Sequence, residues 1–475
     1  MAQSTPEKPN IIYILADDMG YGDIKKLNKN SQVKTPNLDK LAAKGAIFTN
    51  AHSGSAVCTP TRYGVLTGRY AFRTSLKKGV LNGFSPALIE PSRFTVADLA
   101  KQAGYQTAII GKWHLGLDWT PLDPSKRAIA PSKETPDISN VNFEVPLTVG
   151  PNQVGFDYSY IIPASLDMPP YTYLENGKPT SLPLVPFQGK NNPRGVFWRS
   201  GPASKDFVIE ETLDVFIGRA KDYLAKASTG DQPFFLYLPL TSPHTPWLPS
   251  NKFKNKSGAG TYGDFVMHTD DAVGKIMKTL DSLGIAKNTL VIFTSDNGAD
   301  WKPGDATAFP LHQANYIFRG EKSDIWEGGH HVPFLLRWPA VVKPNQKIAQ
   351  LTCLTDLMAT IADFTKQNLP EGAGPDSYSL YPMISGKNNQ NRPDIIHHSI
   401  DGMFAIRKGK WKFIDGKGSG GWSMKTGKPE DPEGQLYQMD IDEKETTNLY
   451  TKYPEVVKEL KALLEKHKQQ GYSNR

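Results

Sequence analysis

The sequence predicts an α/β protein: a large, mostly parallel mixed sheet sandwiched by helices, then a smaller C-terminal α+β subdomain with an antiparallel sheet. Two observations give this class. Short apolar runs rich in β-branched and aromatic residues alternate with stretches of helical period. From about Pro370 the composition shifts, and short strand-like runs surround a glycine-rich turn. The boundary is placed between 375 and 376, giving a main domain over 1–375 and a subdomain over 376–475 with a small antiparallel sheet and a closing helix.

In chain order, strands are expected at Ile11 to Ala16, Ala46 to Asn50, Gln106 to Ile110, Phe234 to Pro239, Thr289 to Thr294 and Val332 to Arg337. Thr35 with Pro36 opens a helix that Gly45 closes, and Thr95 opens another that Gly104 closes, each pairing a polar N-cap with a C-terminal glycine. Phe207 to Lys226 and Asp264 to Leu283 are longer amphipathic helices. Between Trp119 and Gly201 the chain is rich in Pro, Asn, Ser and Gly with little period, which predicts long surface loops shaping a binding site. Phe404 to Asp415 and Gln435 to Met439 read as antiparallel strands around the turn at Gly416 to Gly421. Pro454 to Gln470 reads as the closing helix, its Lys and Glu residues on a solvated face.

Composition excludes several classes. The 475 residues can bury a large core, and two cysteines, Cys58 and Cys353, give no disulfide framework. Cys353 lies in the apolar run from Leu351 to Ala362 and is expected to pack in the core. The formal net charge of +7 suits an acidic partner, but the Lys and Arg residues are scattered. That points to an anionic small molecule or polysaccharide rather than a nucleic acid. No run reaches transmembrane length and Met1 to Asn10 has no apolar signal core, so no membrane span is expected. The polar Gln3 to Pro6 lead-in is also what remains after a signal peptide is removed. A periplasmic or secreted home is therefore expected.

Chemistry collects where strands end. Ile11 to Ala16 runs into Asp17 and Asp18, Gln106 to Ile110 into Lys112 and His114, Phe234 to Pro239 into His244, and Thr289 to Thr294 into Asp296 and Asn297. Ligands bind beyond the carboxyl ends of strands in open α/β sheets. Asp17, Asp18, Asp296 and Asn297 offer only oxygen, the preference of Ca²⁺ or Mg²⁺ over Zn²⁺. Either acidic tripeptide alone reads as turn chemistry; two at one sheet edge favour a metal. Lys112 and His114 would face one side if the strand geometry continued. Arg62, Lys112 and Lys322 together can neutralise a sulfate or phosphate.

Cys58 opens Cys58-Thr59-Pro60-Thr61-Arg62, followed by Leu66-Thr67-Gly68-Arg69. A cysteine at a helix start beside Arg62 sits in positive potential, which favours an anionic nucleophile or ligand. This stretch resembles the signature of type I, formylglycine-dependent sulfatases, arylsulfatase-like members of the alkaline phosphatase superfamily. The resemblance runs in order from about Asn10 to Trp338, with Thr61 and Glu321 as mild departures.

The resemblance implies that Cys58 is converted to formylglycine by a formylglycine-generating maturation enzyme. It implies that Asp17, Asp18, Asp296 and Asn297, with the modified Cys58, hold Ca²⁺, and that Arg62, Lys112, His114, His244 and Lys322 line a sulfate pocket. Ser165 resembles a sulfate-contacting serine of the arylsulfatase branch. The expected reaction is hydrolysis of a sulfate ester, with Asp296 as base for the hydrated aldehyde, His244 as acid for the leaving oxygen and His114 as base in the second step. His312 and His268 are the alternatives to His244. Trp119, Trp247 and Trp301 are candidates for sugar stacking, with core packing as the competing role.

The expected substrate is a sulfated carbohydrate. A phosphatase or phosphodiesterase of the same superfamily is the first rival, although such enzymes carry zinc on several histidines. A sulfated-glycan binding protein with unconverted Cys58 is the second.

Overall fold

Ten strands form the main sheet in the computed structural model, which describes residues 8–129, 136–387 and 392–474. The Gln3 to Pro6 lead-in lies outside the described residues. In chain order the strands are β1 (Asn10–Asp17), β2 (Ala46–Phe48), β3 (Gln106–Lys112), β4 (Tyr158–Ile162), β5 (Leu174–Glu175), β6 (Lys178–Pro179), β7 (Phe234–Pro243), β8 (Thr289–Ser295), β9 (Phe334–Arg337) and β10 (Gln346–Ile348). Their order across the sheet is β10-β2-β9-β8-β1-β7-β3-β4-β5-β6. The central run from β8 to β4 is wholly parallel, while β9 runs antiparallel to both neighbours.

Strand β1 shows why this sheet forms. Ile11, Tyr13 and Leu15 enter one core with Leu66, Ile109 and Phe235. Ile12, Ile14 and Ala16, on the opposite face by the two-residue strand period, enter a second core with Phe216, Leu236 and Ile276. Both faces are covered, as expected for a parallel sheet, so the strand reads as an unbroken apolar run. Fully burying Ile12 or Ile14 is worth about 1.5–3 kcal/mol each.

Helices α1 (Pro36–Ala43), α2 (Cys58–Thr67), α3 (Val96–Gln102), α4 (Thr212–Ala227) and α5 (Gly260–Ser282) flank the sheet. α3 starts as its sequence dictates: Asp98 N donates to Thr95 Oγ1 at 3.2 Å and Thr95 N to Asp98 Oδ2 at 3.0 Å. α5 begins four residues before the expected Asp264, at Gly260, and α4 begins at Thr212 after a 3₁₀ turn over Ile209–Glu211.

Two expectations about irregular chain need correction. The Trp119 to Gly201 region is not loop throughout, because β4 within it is a fully integrated sheet strand. Phe404 to Asp415 is not one strand: it divides at Gly409, whose φ of +56° makes a turn, into Phe404–Lys408 and Trp411–Ile414. These pair with Asp394–His398, which the sequence reading missed, and with Gln435–Gln438 in a four-stranded antiparallel sheet. One face of that sheet, carrying Ile396, Ile406, Phe413 and Leu436, packs on Leu460 and Leu464 of the helix Pro454–Gln470. The other, carrying Ala405, Ile414 and Tyr437, packs on Ile325 and Trp326 of the main part.

Buried histidines accompany this docking. Burial holds His398 down to about 4 and His397 down to about 3, and pushes His52 and His330 well below the usual histidine value. An unfolded histidine takes up a proton below about pH 6.5 whereas His398 in the fold does not until about pH 4, so folding stability falls as the pH drops through that window. His398 alone should cost on the order of 2 kcal/mol at pH 5. Urea unfolding of the protein at pH 7 and pH 5 should show the loss, and His398→Gln should lose less across the same interval; identical slopes would show that His398 does not titrate differentially.

Candidate active site

Five adjacent parallel strands deliver their carboxyl ends to one edge, and the residues just beyond each strand build the site. β1 ends in Asp17 and Asp18, β8 leads to Asp296 and Asn297, β7 to His244, β3 to Lys112 and His114, and β4 to Ser165 and Asp167. The N-terminus of α2 brings Cys58 to the same place, with Arg62 one turn further along the same helix face. The ligating atoms of Asp17, Cys58 and Asp296 lie within 4.8 Å of one another, as do those of Asp17, Asp18 and His244.

Three carboxylates are closed by three cations. Arg62 donates through Nε and Nη2 to Asp296 Oδ2 at 3.0 and 2.7 Å, and through Nη1 to the Lys112 carbonyl at 3.1 Å. Lys112 Nζ donates to Asp17 Oδ2 at 2.7 Å and to Ser165 Oγ at 3.2 Å. Lys322 Nζ donates to Asp18 Oδ2 at 2.8 Å, and Asn297 Nδ2 donates to Asp18 Oδ1 at 2.7 Å. All of these side chains are buried.

Burial alone would raise the Asp17 pKa, but Lys112, then His244 and Arg62, hold that carboxyl well below the usual range. Burial and then the Asp17 charge push Asp296 up to about 6. Burial works against the Lys322 charge, yet Asp18 keeps its pKa raised. For Cys58, burial outweighs Lys112 and Lys322 and raises the thiol pKa. Of the two expectations for the helix start, an anionic nucleophile or an anionic ligand, this speaks against the first alone: without modification Cys58 is a buried thiol.

The donor set fits a hard cation. Asp17 Oδ1 and Asn297 Oδ1 are buried and accept no hydrogen bond, although Arg62 Nη2 lies 3.4 Å from the former. Two orphaned oxygens beside Asp18 and Asp296 are the chemistry of an oxygen-ligated divalent ion.

Hydrogen bonding sets both histidine tautomers. His114 Nε2 meets the Leu81 carbonyl at 2.7 Å, which can only accept, so Nε2 carries the proton. Its Nδ1 is buried with no partner. Burial, then Lys112 and Arg62, push its pKa well below the usual value, leaving a neutral ring with a free lone pair. The strand geometry does not continue to this residue: β3 ends at Lys112, and a φ of +57° at His114 turns the chain. His244 Nδ1 donates to the Thr245 carbonyl, which leaves Nε2 near Ser165 Oγ (3.5 Å) and Asp18 Oδ2 (3.7 Å).

Cys58, His114, His244 and Lys322 line a pocket of about 560 Å³. His312 and His268 do not. His312 Nε2 pairs with Asp23 at 2.9 Å and His268 Nε2 with Asp214 at 3.0 Å, so neither replaces His244 as a proton donor. Trp119 is core, packed against Phe84 and Phe143. Trp247 is buried beneath Arg194 at 4.7 Å.

The pocket wall holds residues that sequence reading missed: the Asp167–Arg199 ion pair, Arg194, Lys302 and Trp422. Trp422 is 47% exposed and lies just after the glycine-rich turn of the C-terminal region. Its backbone N donates to Ser323 Oγ at 2.9 Å, beside Lys322. An exposed aromatic directly after Gly420-Gly421 was the available signal.

A family model described as Sulfatase matches residues 9–367. The chain belongs to the sulfatase family. It is 37% identical to an N-acetylgalactosamine-6-O-sulfatase of Bacteroides thetaiotaomicron over 97% of this chain and 93% of that protein. It is 30% identical to human arylsulfatase A over 85% of this chain and 74% of that one. A solved sulfatase from work on glycosaminoglycan metabolism by Bacteroides thetaiotaomicron superposes with a TM-score of 0.84 at 34% identity, covering 98% of this chain and all of the other. The chain is thus a sulfatase, a sulfuric ester hydrolase, and the phosphatase and non-catalytic readings are set aside. No helix among the described residues is long and apolar enough to cross a membrane.

Arg62 is the structural pin of this sulfatase site. Arg62→Ala would leave Asp296 buried without its partner, and urea unfolding should register a loss of about 3–5 kcal/mol, the scale for breaking a buried ion pair. A change below about 1 kcal/mol would show that Asp296 finds another partner.

Proposed function

We propose that this sulfatase removes the 6-O-sulfate from an N-acetylgalactosamine residue of a sulfated glycan, using a formylglycine derived from Cys58 and one divalent cation, Ca²⁺ by its ligand chemistry. The observation that carries the reading is the closure of Arg62, Lys112 and Lys322 on Asp17, Asp18 and Asp296 beside Cys58. The sugar is suggested by the N-acetylgalactosamine-6-O-sulfatase relative and by a mouse N-acetylgalactosamine-6-sulfatase that is 30% identical.

Asp17, Asp18, Asp296 and Asn297, with the modified Cys58, would hold the cation. When bound, the cation and the hydrated aldehyde supply positive charge at the sulfate oxygens and a hydroxyl nucleophile. Asp296 sits beside Cys58 as the carboxylate that would take that hydroxyl's proton. Lys112, Lys322 and Ser165 bind and orient the sulfate, with Arg62 fixing Asp296 and the Lys112 carbonyl. His244, its Nδ1–H held by the Thr245 carbonyl, turns Nε2 towards the leaving sugar oxygen and gives it a proton there from the imidazolium form. His114, fixed by Leu81, accepts a proton at Nδ1 in the step that frees sulfate.

We assign this chemistry to a main domain over 1–375 and the outer pocket wall in part to a subdomain over 376–475. A formylglycine-generating enzyme is the required maturation partner, and a polymeric sulfated glycan places the enzyme in the periplasm or outside the cell.

Mass spectrometry of the Cys58 peptide from active enzyme should show the aldehyde, and Cys58→Ala should release no sulfate from 6-O-sulfated N-acetylgalactosamine. Turnover by Cys58→Ala would end the assignment of the nucleophile. His244→Ala should lose roughly 10²–10⁴-fold on the sulfated sugar and far less on a nitrophenyl sulfate, whose leaving group needs no proton. Equal losses would make His244 a sulfate-binding group. Chelation should lower the melting temperature and Ca²⁺ restore it, with about 2.7 kcal/mol of stability regained at a hundredfold excess over Kd; a melting temperature indifferent to both would exclude the cation.

A further inference from the structure

Basic residues that are scattered along the sequence meet at one place in the fold. A pocket of about 230 Å³ lies between α1, α5 and the end of β9. Lys40 and Lys44 line it from α1 and its C-cap, Lys278 from α5 and Arg337 from β9. Lys343 and Lys347 continue the same edge, because the chain between them is bonded to the end of α1. Asn345 N donates to the Ala43 carbonyl at 3.2 Å and Gln346 N to the Gly45 carbonyl at 3.1 Å. All five lysines are exposed, and among the described residues none of their ammonium groups enters an ion pair or hydrogen bond. Asp281, its side chain 52% exposed, is the carboxylate that lines the pocket with them.

A cation near a helix C-terminus offsets the helix dipole, which accounts for Lys40 without a ligand. Arg337 is not explained in that way. It is 8% exposed, and among the described residues its guanidinium makes no hydrogen bond: Nε is buried without a partner, and Nη2 stands 3.9 Å from Asp281 Oδ1, beyond hydrogen-bond reach. A guanidinium taken out of water normally carries an anion on its fork. The walls around it are fixed. Asp270 of α5 accepts from the backbone N–H of Asn37 and Leu38 at 3.0 and 2.8 Å, and Gly274 lies so close to Asn37 that a Cβ would come within 2.4 Å of its side chain. The result is a small cationic seat with room for a tetrahedral oxyanion.

This seat is remote from the catalytic residues. Arg337 pairs with Val291 near the start of β8, and from there to Asp296 beyond the other end of that strand is about 17 Å at the ordinary strand rise. We propose that this basic edge binds sulfate groups of a glycan chain, with Arg337 and its three neighbouring lysines as the seat and Lys343 and Lys347 extending the contact, so that the enzyme is held on its polymer away from the point of hydrolysis. The inference rests on the reading of the substrate as a polymeric sulfated glycan. A free sulfate or phosphate ion is the other source of the same chemistry.

Binding to Cys58→Ala enzyme, which leaves the probe intact, tests this with chondroitin 6-sulfate, desulfated chondroitin, inorganic sulfate and a DNA duplex. Lys40→Ala, Lys44→Ala and Lys278→Ala together should raise the Kd for chondroitin 6-sulfate about tenfold, whereas Lys221→Ala, Lys458→Ala and Lys466→Ala, exposed on other faces, should raise it less than about twofold. Arg337→Gln should raise it several-fold, and the exposed lysine variants keep the test independent of how well that buried variant folds. Equal weakening by both lysine triples would reduce the effect to net charge and overturn the site. Desulfated chondroitin bound as tightly as the sulfated chain would rule out sulfate as the group recognised, and DNA bound more tightly through the same lysines would rule out the glycan. Loss of an inorganic sulfate site in the first triple, with polymer affinity unmoved, would assign the seat to the free ion. Formylglycine-bearing enzyme with the first triple should release sulfate from the 6-O-sulfated monosaccharide as the parent does. Failure of the parent to do so would sink the reading of the active site, while the binding titrations still judge this edge.

Discussion

Burying three carboxylates against three cations is the constraint on which this molecule is organised. Taking so much charge out of water is tolerable only when each group finds its partner at hydrogen-bond distance. Asp17, Asp18 and Asp296 do so with Lys112, Lys322 and Arg62. These groups come from β1, β3, β8, α2 and the segment before Glu327, so no single element can form the site. Only adjacent parallel strands held in register bring them together. The backbone yields to this demand at three points, Asp18, His114 and Ser323, each at a positive φ that a non-glycine residue seldom adopts.

The sheet supplies the rigidity that such a cluster requires. Because β1 sends alternate residues into two separate cores, neither face can slip without exposing a complete apolar set. Its end is then fixed relative to β7 and β8, its parallel neighbours. The C-terminal sheet adds a brace of a different kind, with Lys412 Nζ buried between Glu327 at 3.0 Å and Glu445 at 2.7 Å. Glu327 also bonds His331 at 2.9 Å, so the segment after Lys322 is held from both sides.

The same physics decides which parts were legible in the sequence. Strands buried on both faces are continuous apolar runs, and β1, β3, β7 and β8 stood out for that reason. The acidic and basic residues directly after them were readable because chain order carries them to the strand ends. β4 was obscured: Tyr158 to Ile162 is five residues long, interrupted by Ser159 and set within Pro- and Asn-rich chain. Asp394–His398 was missed because Asp394, His397 and His398 interrupt its apolar signal, although all three are buried. Trp422 and Arg194 carry no periodicity, and their places depend on long-range folding of loops. His114 was found by type, while its tautomer depends on the Leu81 carbonyl, which only three dimensions bring near.

The segment bearing Trp422 divides anchoring from display. Its base is fastened by Trp422 N to Ser323 and by Ser423 to Asp324, and Gly421 lies so close to Ser323 and Asp324 that a Cβ there would collide with both. The indole itself is half-exposed, with Lys302 Nζ over its ring at 4.6 Å and Lys322 Nζ at 5.8 Å. A change of side chain at residue 422 therefore reshapes the rim of the pocket and alters the surroundings of these two lysines, while the fastening beneath it stays. In an evolving lineage such a position lets a sulfatase explore new glycans at little cost in stability.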